Sequence, residues 1–123
     1  MKTKQYLQEI AQWQWEITGY QKAAFLIEER LDAIHKNIPS QNPRSIRINR
    51  LLEQVVHQER ELNDIEKNIL KEKEAIRKYK ENMYSSSMLD HDHQQNQKKF
   101  GSEEITFASI KKDYYSLLED LLV

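Results

Sequence analysis

No cysteine occurs in the 123 residues, which excludes disulfides, thiolate nucleophiles and cysteine-held metals and suits a reducing cytoplasm. Only two glycines and two prolines are present. So few turn residues, beside many Glu, Lys, Gln, Leu and Ile, describe long helices with few corners. No run approaches 18 consecutive apolar residues, so no segment is expected to span a membrane. The opening Met1-Lys-Thr-Lys is basic, but Gln5 to Glu9 is too polar for the apolar stretch of a signal peptide. Charge of one sign is missing as well. With 19 basic and 20 acidic residues the net charge is −1, which gives no global attraction to nucleic acid or anionic lipid. Glycine-rich phosphate loops and serine-elbow motifs are absent. The carboxylates, such as Glu28-Glu29 and Glu59-Glu61, are expected on exposed helical positions. The expectation is a cytoplasmic, non-enzymatic protein with no cofactor and no metal.

What is present is periodicity. Tyr6, Ile10, Trp13, Ile17, Tyr20, Ala24, Ile27, Leu31 and Ile34 follow alternating steps of four and three without a break. That is the seam of a coiled-coil-like helix, predicted over about Thr3 to Lys36. Gly19 within it offers a place where another helix could approach closely. Pro39 and Pro43 with the polar residues between them form a corner, with Asn42 or Ser45 as the next helix cap. A second helix is predicted from about Ser45 to Met83, with a seam running from Ile48 to Met83 broken by Gln58 and Glu72. Polar seam residues cost stability and specify register.

The stretch from Tyr84 to Gly101 is polar, including His91-Asp92-His93-Gln94-Gln95, and reads as a flexible linker. The histidines there read as solvated. Ser102 then reads as an N-cap for a short last helix whose stripe is Phe107, Ile110, Tyr114, Leu117 and Leu121. The predicted organisation is a hairpin over 1–83, a linker over 84–101 and an amphipathic helix over 102–123. The fold class is all-α: a long antiparallel helical hairpin plus a short C-terminal helix, as a three-helix or a dimeric four-helix bundle.

Leu7, Trp15, Phe25 and Leu26 lie off the first helix's seam. A hairpin alone would leave them in water, so a protein partner is expected to cover them; a homodimer of hairpins is favoured over a monomeric three-helix bundle. Phe107, Tyr114, Leu117 and Leu121 are expected to contact that partner too. Deleting the last helix is then expected to abolish binding while the hairpin stays helical. The alternative is nucleic-acid contact through Arg44, Arg47 and Arg50, clustered at the hairpin tip.

Lys4-Gln5-Tyr6-Leu7-Gln8-Glu9-Ile10, and the run from Arg50-Leu51-Leu52 through Glu61-Leu62-Asn63-Asp64-Ile65 to Ile76, resemble a family of small phage and mobile-element regulatory proteins of Gram-positive bacteria. The resemblance covers about residues 3–80. It implies a dimerising N-terminal helical hairpin and a role in transcriptional regulation. Members usually end in a sigma-region-4-like helix-turn-helix. Residues 84–123 do not match that module, so what the resemblance carries over is the hairpin.

Overall fold

The seam that starts at Tyr6 is buried along one side of α1 (Lys2–Lys36), with Ile10, Ile17, Ala24 and Leu31 almost fully enclosed. The computed structural model describes residues 2–122 and continues into α2 (Pro43–Lys80) and α3 (Ser86–Leu122). These form an all-α three-helix bundle. The terminal positions of the expected hairpin and last helix, Met1 and Val123, lie outside the described residues. α1 and α3 run parallel to each other, and α2 runs antiparallel to both. Gln21 of α1 accordingly meets Asn63 and Glu66 of α2, while Tyr6 meets Asp90 of α3.

Both corners are built from local chemistry. Asn42 caps α2, its Oδ1 accepting from the Arg44 amide at 2.9 Å, and Pro43 occupies the first turn where no donor is needed. α2 stops at Lys80 rather than Met83. The Met83 amide donates to the Lys78 carbonyl and the Asn82 amide to the Tyr79 carbonyl, while Asn82 takes φ 62°. This is a Schellman stop with asparagine supplying the left-handed residue. Ser85 then starts α3, its Oγ accepting from the Met88 amide at 3.1 Å.

The expected linker over 84–101 is therefore corrected. From Ser86 it is helix, and α3 has 37 residues, as long as the 35 of α1 and the 38 of α2. Ser102 is an interior helical residue and not a cap. The seam of α3 runs Leu89, His93, Asn96, Phe100, Glu103, Phe107, Ile110, Tyr114, Leu117, Leu121, in the same steps of four and three as the other two helices. Three of its early positions are polar, which hid the period.

The apolar core is in two parts. One gathers Ile10, Trp13 and Ile17 with Leu62, Ile65 and Ile69 of α2 and Leu89 and Phe100 of α3. The other gathers Ala24, Ile27 and Leu31 with Ile48, Leu51 and Val55 and with Ile110, Tyr114 and Leu117. Gln58 and Glu103 lie between them, both buried. Aromatic rings bridge α1 to α3: Trp13 stacks on Phe100 at 6.0 Å, and Tyr20 meets Phe107 at 4.7 Å.

Neither glycine serves a close approach within the chain. A Cβ added at Gly19 or at Gly101 meets no atom within 4 Å, which corrects the expected helix contact at Gly19. Glycine in a helix interior costs about 0.5–1 kcal/mol against alanine. Gly101→Ala is therefore expected to raise the thermal midpoint by a few degrees in a calorimetric scan. A lower midpoint would mean that α3 needs to bend at that residue.

Candidate functional site

The outer face of α1 carries the features that the core does not account for. Trp15 is 75% exposed, Phe25 54% and Leu26 48%. These three expected partner residues are brought to one exposed helix side, with the exposed Ala11 among them. Leu7 is only half open and packs against the first part of the core.

The expected partner residues of the last helix are placed differently. Tyr114 and Leu117 are buried in the second part of the core, Leu121 packs against it, and Phe107 is half-buried against Tyr20. The reason is the length of α3. A full-length helix supplies the third wall of the bundle, so its stripe is used inside the chain. At the hairpin tip, Arg44 donates to the Asp120 carbonyl at 3.0 Å. Arg47 donates to Ser116 Oγ at 3.0 Å and forms an ion pair with the Asp120 carboxylate. Those two arginines spend donors on α3. Arg50 stays exposed beside a shallow groove with Asp113.

Two polar layers were not legible as sites. In the first, His93 is buried, 3% exposed, where it was expected to be solvated. Its Nδ1 lies 2.6 Å from Glu72 Oε2, and its Nε2 bonds Glu9. Asn96 Nδ2 donates to Glu72 Oε1 at 2.7 Å. The Tyr6 ring stacks on the imidazole at 3.7 Å, and Trp13 stacks at 4.9 Å. A neutral imidazole has one N–H, so bonding two carboxylates takes a second proton, on the ring or on a carboxyl. Next to this layer, Asp90 accepts from Tyr6 Oη at 2.7 Å and from Lys2 Nζ at 3.1 Å. The Tyr6 bond, then Lys2, holds Asp90 below the usual carboxylate range, and the same Asp90 bond pushes the Tyr6 phenol up to about 12. Both ring nitrogens of His93 are engaged within the chain. Among the described residues no group of three or more His, Asp or Glu side chains is arranged to hold a metal ion.

The second layer holds Gln58, Glu61 and Glu103. Gln58 Nε2 donates to the Glu103 carbonyl at 3.1 Å. Burial, then a hydrogen bond with Glu61, pushes the Glu103 carboxyl up to about 8. Across the α1–α2 groove, burial and then Glu28 push Glu59 up to about 7. A carboxyl raised in the fold stabilises it most below its unfolded value and loses that contribution as pH rises through the folded one. The bundle is thus expected to melt progressively lower from pH about 5 to about 9. Glu103→Gln should flatten that slope and recover about 1–2 kcal/mol at the alkaline end. An identical slope in the variant, measured by calorimetry across that range, would show that Glu103 and Glu61 do not share a proton.

Among the described residues no helix is long and apolar enough to cross a membrane. Comparison with protein-family models, with curated proteins and with solved structures finds no match.

Proposed function

We propose that the chain is a non-enzymatic helical protein–protein interaction module that binds through the outer face of α1. Its role would be that of a small regulatory or inhibitory protein of a phage or mobile element. The observation that carries the binding reading is the exposed row around Trp15, Phe25 and Leu26, on a helix whose other side already completes the core. Large aromatic side chains on a rigid helix are the usual anchors of an interface. The biological setting rests on the resemblance of residues 3–80.

The test is a photo-crosslinking amino acid at position 15 in the otherwise unaltered chain, expressed in its host of origin. A discrete adduct is expected, and Phe25→Asp should remove it. The variant's melting temperature should stay close to that of the parent, because exposed positions tolerate substitution within about 0.5 kcal/mol. No adduct, or one indifferent to Phe25→Asp, would remove this face as the binding surface.

A further inference from the structure

The outer face of α1 has its own heptad rows. One row steps by seven through Lys4, Ala11, Thr18, Phe25 and Asp32, and all five are exposed. A neighbouring row runs Gln8, Trp15, Lys22, Glu29 and Lys36, also exposed. Together they alternate by four and three, as the buried seam does. This is a second seam on the opposite side of the helix, with Trp15, Lys22 and Phe25 near its middle and further charges towards its ends.

Lys4 stands at the start of the face, Lys22 in its middle, and Glu29, Asp32 and Lys36 at its far end. None of the five forms an ion pair inside the chain among the described residues. Laid parallel on a copy of itself, the face would set Glu29 and Asp32 against the same two acids. Laid antiparallel, it sets Lys4 against Asp32 twice, once at each side of a two-fold axis, while Lys36 falls beyond the start of the facing helix. The axis then falls near Thr18 and Gly19. The small Ala11 comes opposite the large Phe25, and Lys22 lies near the Trp15 ring. Gly19 is exposed and has no neighbour within the chain. At the axis it would let two helices come close, a use that the bundle itself does not make of it.

We infer that the outer face of α1 pairs antiparallel with the same face of a second copy of this chain, giving a two-fold homodimer centred near Thr18. This inference rests on the proposed interaction role of that face and names its occupant. The two bundles would sit back to back, each keeping its own core.

The test uses the full chain in sedimentation and light scattering from micromolar to near-millimolar concentration. The mass is expected to rise with concentration from 14.8 kDa towards twice that value. Trp15→Lys should weaken the dimer about tenfold or more, as loss of a central aromatic anchor does. Lys4→Glu alone, and Glu29→Lys with Asp32→Lys alone, should each weaken it several-fold, and all three substitutions together should restore it. A monomer at every concentration would overturn the inference. So would a dimer unmoved by Trp15→Lys, or charge variants that do not rescue one another. The adduct at position 15 separates this failure from failure of the interaction role. A monomeric chain that still forms a Phe25-dependent adduct with a different protein sinks the homodimer alone, and a monomer with no adduct sinks both.

Discussion

His93→Leu is expected to cost the bundle about 1–3 kcal/mol, the range found when a buried hydrogen-bonding group is left without its partner. Glu72 is 1% exposed and faces α3. Its carboxyl group has two hydrogen-bond partners there, His93 Nδ1 at 2.6 Å and Asn96 Nδ2, which donates at 2.7 Å. Leucine fills part of the imidazole's space but leaves one oxygen of a buried carboxylate without its partner. It also leaves Tyr6 and Trp13 without the ring they stack on. The matching experiment replaces the whole layer: Glu72→Leu, His93→Leu and Asn96→Leu together should recover most of the loss, because no polar group is then stranded. What the triple variant should lose is fixed pairing of α3 on α2, seen as broadened amide resonances, since polar seam residues specify register. Urea titrations of the single and triple variants decide the matter. A loss below about 1 kcal/mol for His93→Leu would mean that water reaches Glu72 and the layer is not sealed.

This layer also explains which parts of the structure were open to reading from the sequence. The α1 seam is apolar at all its positions, so both the helix and its extent could be read directly. In α2, Gln58 and Glu72 interrupt an otherwise apolar seam and were visible as polar positions. In α3 the same device occurs at His93, Asn96 and Glu103, with only Leu89 and Phe100 between and before them. Judged by hydrophobicity, the first half of α3 has no period. Judged by position, the steps of four and three never fail. The missing information is non-local: the groups that make His93 and Asn96 tolerable in a core stand on α1 and α2, as Glu9 and Glu72. The Schellman stop at Asn82 depended on one left-handed residue, which a polar stretch does not advertise. The exposed face around Trp15 and Phe25 was legible because it lies off an unambiguous seam. Tyr114 and Leu117 read as partner contacts from the sequence because a short last helix cannot wall the whole bundle.

The full length of α3 reverses the expected effect of removing it. A chain ending at Ser85 is expected to lose cooperative folding, where an independent hairpin would keep its helices. α3 contributes Leu89 and Phe100 to one part of the core and Ile110, Tyr114 and Leu117 to the other, all buried. Each such side chain gains about 1.5–3 kcal/mol on full burial, and five of them rival the 5–15 kcal/mol by which whole domains of this size are stable. The truncated hairpin would also keep Gln58 and Glu72 in its seam with no partner for either. In α2 they face Glu103, His93 and Asn96, all of which leave with α3. Far-ultraviolet dichroism at micromolar concentration should show most of the helix signal gone and no sigmoidal melt. Adding a peptide of residues 86–122 in excess should bring both back, because the third wall needs no covalent link to reach its place. A truncated chain that melts sharply with full helicity would show that α1 and α2 hold each other without help, and that the polar layers are tolerated rather than paired.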